Sequence, residues 1–216
     1  MTQVDFQDDG SGNPVLSNRD FEQAEFSDLT VMPPQGKIAT VENVKFINCR
    51  VSPGTCVMTS DVVLDNVVFS NLDCGDALKI SSEATLRRVV VAGESPSSLV
   101  VQPEFEDDFV VRPPEDIDFQ LDVSEFSGSV CIVGLSGSLI RKDSNRHVVV
   151  KSSWKNEVDW KTLGIGPFSY WRIFLKKLSV FNVPEGVLSL PPSTDKHYSE
   201  TIDEMSRMEG AGVCFT

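Results

Sequence analysis

The sequence has no run of about 18 apolar residues, so it offers no transmembrane helix. Its opening stretch, Met1-Thr2-Gln3-Val4-Asp5-Phe6-Gln7-Asp8-Asp9-Gly10-Ser11-Gly12, has neither a basic region nor an apolar core and does not read as a signal peptide. A cytoplasmic location, away from any membrane, is the resulting expectation. Histidine occurs only as His147 and His197, and cysteine only as Cys49, Cys56, Cys74, Cys131 and Cys214. An odd number of cysteines without framework spacing argues against disulfides, and Cys and His together make no zinc pattern. Cys49, Cys56 and Cys131 sit in apolar strand patterns and read as small core residues. Basic residues are also short, at 19 Lys and Arg against 32 Asp and Glu. The net charge of −13 argues against the simplest nucleic-acid binder, which must neutralise phosphates.

What is present is a globular composition, with 40% hydrophobic residues. A chain of 216 residues suits one domain plus an appendage, or two small domains. Charge is unevenly spread. Residues 104–125 hold nine acidic side chains against Arg112, while residues 141–177 hold nine of the 19 Lys and Arg. Two solvated faces of opposite sign account for this most simply.

The informative stretch is 39–103, where one short pattern returns three times. Val41-Glu42-Asn43-Val44-Lys45-Phe46-Ile47-Asn48-Cys49 is echoed by Leu64-Asp65-Asn66-Val67-Val68-Phe69-Ser70-Asn71-Leu72, and faintly by Leu86-Arg87-Arg88-Val89-Val90-Val91. Asn43 to Asn66, Phe46 to Phe69 and Asn48 to Asn71 are each 23 residues apart. A fixed period of this length marks a stacked repeat. Within each copy apolar and polar residues alternate, as in a strand with one buried face. One copy per coil places Phe46 beneath Phe69, with Val91 above. The Asn pairs then form ladders at corners, where Asn tolerates left-handed backbone angles. A pair of similar hairpins is the competing arrangement. Matching Asn, Val, Phe and Asn at one spacing favours the coil.

The segment resembles a right-handed parallel β-helix, and its N-terminal flank resembles a degenerate pentapeptide-repeat protein. Asp20-Phe21 and Glu25-Phe26 stand five residues apart, with Ala24 the small residue two before Phe26. The resemblance implies one four-sided coil of 20 residues between Phe26 and Phe46. It covers about residues 19–103 and says little about activity, since such folds host many functions.

The expected architecture is therefore mainly β, a right-handed parallel β-helix of about four or more coils with a small C-terminal α+β appendage. Residues 1–18 form a lead-in or cap, and 19–150 the β-helix, irregular after 104. Residues 151–216 form the α+β module. Pro33-Pro34-Gln35-Gly36 closes the first coil, and Ser52-Pro53-Gly54, Asp73-Cys74-Gly75-Asp76 and Gly93-Glu94-Ser95-Pro96 mark corner loops. Ile117, Phe119, Leu121 and Val123 alternate with acidic or polar residues and predict a strand. Val130–Val133, Leu139-Ile140 and Val148–Val150 are further strands, either irregular coils or a sheet on the end of the stack. Ser169 caps a predicted helix over 169–179 with Tyr170, Ile173, Phe174 and Leu178 inward and Arg172, Lys176 and Lys177 outward. Residues 180–190 read as a hairpin. Thr201 with Glu204 reads as a capping box for a last helix ending at Gly210.

Several constellations touch on chemistry. Asp73 and Asp76 partly resemble the Asp-rich coil of β-helical pectinases, where paired carboxylates protonate a glycosidic oxygen and activate water. Here the pair is split, and neither His falls in the repeat, so a turn that favours Asp and Gly explains it better. Asp116, Asp118 and Asp122 lack the Gly and Glu of a calcium loop. Cys131 with His147 has no third orienting group. Gly164-Ile165-Gly166-Pro167 is too short for a phosphate loop. The basic helix with Trp154, Trp160 and Trp171 suits a nucleic-acid contact, but more simply fills a core with its aromatics.

No cofactor and no metal is expected, and the balance leans away from an enzyme. The functional expectation is an interaction or scaffold protein using an acidic β-helix face to bind a protein partner or to self-associate. Asp73, Asp76, Arg172, Lys176 and Lys177 are the candidate interaction residues. Carbohydrate binding or cleavage near Asp73 and Asp76 is one alternative. Nucleic-acid contact through the basic helix is another.

Overall fold

In the computed structural model, which describes residues 4–52, 54–104 and 117–215, the repeat copies build a parallel β-solenoid of about five turns. The Pro113-Pro114 break, Asp116 and most of the acidic run lie outside the described residues. The first turn holds strands β1 (Gln7–Asp8), β2 (Pro14–Glu22) and β3 (Glu25–Phe26). The second holds β4 (Ala39–Ile47), β5 (Arg50–Val51) and β6 (Cys56–Met58). Next come β7 (Val62–Ser70) and β8 (Ala77–Ser81), then β9 (Thr85–Arg87), β10 (Val89–Ala92) and β11 (Ser98–Gln102). After the undescribed segment follow β12 (Leu121–Asp122), β13 (Ser129–Val133), β14 (Ile140–Arg141) and β15 (His147–Lys151). The C-terminal part adds α1 (Trp154–Glu157), α2 (Tyr170–Val180), β16 (Glu185–Ser189) and α3 (Tyr198–Gly210). No described helix is long and apolar enough to cross a membrane.

Register follows the repeat. Phe46 sits under Phe69, as the 23-residue spacing implies, and also over Phe21, and Val91 lies over Phe69. The ring centroids of Phe21, Phe46 and Phe69 are 5.2 and 5.4 Å apart and nearly parallel. Within a turn the core-facing side chains recur every five residues: Leu16, Phe21, Phe26 and Val31, then Val41, Phe46, Val51 and Cys56. Single-residue corners at Asn18, Gln23, Asn43 and Asn48 set that step along the strands of these turns. The coil expected between Phe26 and Phe46 is thereby corrected. Phe26 pairs with Val51, and Phe46 stands over Phe21. The stack also begins earlier than residue 19, because β2 already pairs with β4 from Val15.

The corners explain the asparagines. Asn18, Asn43, Asn66 and Arg88 all have φ between 52° and 54°, and Gln23, Asn48 and Asn71 between 50° and 53°. These are left-handed angles that Asn adopts more readily than most residues. Asn66 Nδ2 donates to Asn43 Oδ1 at 2.8 Å, and Asn71 Nδ2 to Asn48 Oδ1 at 3.2 Å. Gly93, at φ 89°, ends the second column, and the Glu94 N–H donates to Asn71 Oδ1 at 2.8 Å. Asn66→Ala is expected to lose about 1–2 kcal/mol of stability from the forced backbone angle, whereas Asn66→Gly should stay close to wild type. Urea unfolding of both variants checks this. Equal losses would shift the role of the column to its side-chain bonds.

Beyond the undescribed segment the stack continues, but less regularly. Leu121 lies between Val89 and Ile140, so β12 and β14 are parallel turns. The acidic-faced strand expected over 117–123 shrinks to two residues, since Gln120 is buried beside Leu121 and breaks the alternation. The last strands are antiparallel instead. β16 inserts between β13 and β15, so the chain uses both arrangements that the sequence left open.

That insertion also explains the uniformly apolar Val148-Val149-Val150. Val149 and Val187 face the solenoid core, while Val133, Val148 and Val150 face a second core. A sheet covered on both faces loses its polar alternation. Helix α2 supplies the cover through Trp171, Phe174, Leu175 and Leu178, an i, i+3, i+4, i+7 stripe. Ile173, expected inward, is 57% exposed. Ser169 does cap the helix, its hydroxyl accepting the Arg172 N–H at 3.3 Å. Gly186 makes the close approach possible, because a Cβ there would lie 2.9 Å from both Leu178 and Phe174. No hairpin spans 180–190. Residues 181–184 are a loop, and β16 finds its partners far away in sequence. Helix α3 ends at Gly210 as expected but starts at Tyr198, so Thr201 and Glu204 lie inside it, and Thr201 Oγ1 donates to His197 O at 2.9 Å.

Candidate functional site

The five candidate residues fall in three places. Asp73 and Asp76 flank a corner of the solenoid, where Gly75 turns the chain at φ 76° and Cys74 is buried. Asp73 lies 3.3 Å from the Arg50 guanidinium one turn below, and both side chains are more than half exposed. An exposed pair of this kind contributes about 0–1 kcal/mol. Asp76 is exposed, and its carbonyl accepts hydrogen bonds from the Ser97 and Ser98 hydroxyls at 2.6 and 2.8 Å. A glycosidase acid needs apolar shelter to stay protonated, and this corner gives neither carboxylate any.

Arg172 and Lys176 stand on one side of α2 and meet Lys155, Asn156, Trp160 and Ser179 in an open cleft of about 350 Å³. Arg172 Nη1 donates to Ile165 O at 3.3 Å, and its guanidinium lies 5.7 Å from the Trp160 ring centre. Lys155 Nζ reaches Ser179 Oγ at 3.4 Å. Three cations and an indole thus converge on a surface suited to an anion. Trp160 was already grouped with the basic helix, but Lys155 was not among the candidates for this surface, because only α2 made its spacing visible. Lys177 is separated from the group, its Nζ lying 3.1 Å from Cys131 Sγ on the sheet beneath. Trp154 and Trp171 are buried against Phe215, at 5.0 and 5.1 Å between ring centres, so two of the three tryptophans serve the second core.

Cys131, expected as a core residue, is half-buried under Lys177, whereas Cys49, Cys56 and Cys74 are buried in the solenoid. All five cysteines are free thiols. Cys131 and Val148 both pair with Leu188, which places His147 on the opposite face of the sheet from Cys131. His147 is 1% exposed, and neither ring nitrogen has a partner among the described residues. Burial, helped by Arg146, holds its pKa down at about 4. Asp118 and Asp122 each come to 4.0 Å from Arg141. Compared with protein-family models, curated proteins and solved structures, the chain gives no match.

Proposed function

We propose that this chain is a non-enzymatic interaction module whose solenoid offers a rigid acidic face to a protein partner or to a second copy. The observation that carries this reading is the edge of the first turn. Among the described residues β1 pairs with β2 only at Val15 and Pro14, while β2 runs on to Glu22 with β4 on its other side. Backbone groups left along a sheet edge recruit a further strand. Asp20, Glu22 and Glu25 line this end of the stack, and stacking in register orders it before any partner arrives. Less entropy is then lost on binding. The five-residue step of the core adds to the likeness to pentapeptide-repeat proteins, whose acidic coils can mimic DNA towards DNA-handling enzymes. Such an enzyme is the partner that this likeness suggests.

The test is capture of partners by the tagged full chain from its native cells at two salt concentrations, with light scattering for self-association. Wild type is expected to retain a stoichiometric protein, or a second copy, at both salts. A variant carrying Asp20→Lys, Glu22→Lys and Glu25→Lys should lose it, since lysines oppose strand addition at an edge. A monomer without partners, or a partner indifferent to the variant, would remove the edge from the reading.

A second reading rests on the basic cleft. Lys155, Arg172 and Lys176 beside Trp160 suit a single-stranded nucleic acid through phosphate contacts and base stacking. It requires salt-sensitive binding of an oligonucleotide that disappears on Arg172→Glu with Lys176→Glu. The carbohydrate alternative draws less support, because Asp73 is already paired with Arg50. Polysaccharide cleavage abolished by Asp76→Asn would nevertheless replace the interaction reading.

A further inference from the structure

The beginnings of α2 and α3 enclose a second cleft, of about 390 Å³, whose charge is opposite to that of the basic one. Its rim is apolar, formed by Phe168, Ile173 and Pro191, and its acidic groups are Asp195, Glu200 and Glu204. Phe168 is 87% and Ile173 57% exposed, an unusual degree for large apolar side chains standing side by side on one opening. At the bottom Glu204 is only 3% exposed. Among the described residues no hydrogen bond or ion pair reaches its carboxylate. The cation one helical turn away, Arg207, directs its guanidinium to the carbonyls of Leu163 and Asp203. His197 is engaged by Glu200 at 3.8 Å.

A carboxylate so largely enclosed and without a direct partner is held at a cost, which a cation entering the cleft reduces. Burial and the neighbouring Glu200 raise its pKa, against a smaller opposing pull from the charge of Arg207. Long basic side chains match the whole opening, because their alkyl stems cover apolar surface while the charged end reaches a carboxylate.

We propose that this cleft binds a lysine or arginine side chain of a partner polypeptide, the cation on Glu204 and the alkyl stem along Phe168 and Ile173. This deepens the interaction reading above and rests on it for the existence of a protein partner. The contact it names is a different one from the solenoid edge. Its occupant follows from charge complementarity with Glu204 and from the apolar rim.

The test is a nitrogen–proton NMR titration of the full chain with the blocked tripeptide acetyl-Leu-Lys-Leu-amide and its norleucine analogue. The lysine peptide is expected to shift amides in 166–173 and 197–204 saturably, and the norleucine peptide to leave them in place. Glu204→Gln keeps the size of the side chain and removes its charge, and is expected to weaken binding at least tenfold. Because the unpartnered charge opposes folding, this variant should melt no lower than wild type. If it fails to fold, Phe168→Ser at the exposed rim serves instead, with a several-fold loss expected.

Absence of saturable shifts with the lysine peptide overturns the proposal. So does equal binding by Glu204→Gln, or an unaltered affinity on norleucine replacement. Shifts at the cleft that follow protein concentration without peptide would assign it to a second copy, and also overturn the proposal. A partner lost from the edge variant but kept by Glu204→Gln leaves the interaction module standing and removes only the cleft. No partner in cells, together with lysine-peptide binding lost in Glu204→Gln, does the reverse.

Discussion

Phe46→Ala is expected to destabilise the protein by about 3–5 kcal/mol, the usual loss for a buried phenylalanine. Phe46 is 2% exposed and lies between two parallel rings, those of Phe21 and Phe69. Phe26 meets it edge-on at 5.9 Å. The ring therefore touches three turns of core at once. A solenoid turn contacts only its neighbours, so no distant element can move in to fill the void. Much of the lost contact stays lost, which places the effect at the upper end of the range. For a chain of this size the melting temperature should fall by roughly 10 °C. Phe46→Leu keeps most of the volume and should lose less than about 1.5 kcal/mol. Phe168→Ala, at an 87% exposed position, should stay within about 0.5 kcal/mol of wild type. Thermal and urea unfolding of the three variants decides the matter. A small loss for Phe46→Ala would mean that the aromatic column is not the spine of the stack.

The second large effect depends on pH and comes from His147. Its folded-state pKa is held at about 4, against an ordinary value of 6.5. Burial is the main cause. The charge of Arg146 acts in the same direction, Lys142 adds to it, and Asp143 opposes it. Between those two pKa values the unfolded chain binds a proton that the folded protein refuses. Stability therefore rises with pH through this window and is lost as pH falls from about 6.5 to about 4. The total is about 3 kcal/mol, at about 1.4 kcal/mol per unit of pKa. His147→Leu removes the group and should flatten this part of the profile. It also removes a buried imidazole with no hydrogen-bond partner, so the variant should be the more stable one even at neutral pH. Asp9 and Asp159 have lowered pKa values from their hydrogen bonds and lose that contribution only in stronger acid. Unfolding free energies of wild type and variant at pH 4.5, 5.5 and 7 isolate the histidine as a difference. Parallel profiles would refute its role.

The stack was legible in the sequence because its contacts repeat at a constant interval. Asn43 with Asn66, and Phe46 with Phe69, announce their own pairing, and both pairings hold in the structure. Phe21 escaped this reading because its distance to Phe46 differs from the later period, so only the register revealed it. The same holds for the five-residue step of the core, whose members include Leu16, Val31, Val51 and Cys56, residues too varied to form a motif. The hairpin over 180–190 failed for another reason. Local alternation shows that β16 is a strand but not which strands accept it, and its partners are 131–133 and 147–151. On α2 Ile173, expected inward, is exposed, while Trp171 fills the core as its aromatic character suggested, since the packing of Gly186 against Phe174 and Leu178 selects the stripe that includes Trp171.

The candidate sites divide in the same way. Arg172 and Lys176 were visible from helical spacing within one element. Trp160 was grouped with them from the sequence, and Lys155 joined them only through folding. Glu204 read as part of a helix cap, yet it is a buried carboxylate at the floor of a cleft between two helices.

By itself the sequence determined the solenoid, its corners and its helical C-terminal part, because period, alternation and left-handed positions are properties of short segments. The tertiary structure alone decided which edge is left open among the described residues, how β16 closes the stack and where charges gather into clefts. Those features depend on contacts between residues far apart in the chain, and the free energy of such contacts is set by burial and complementarity that no local pattern records.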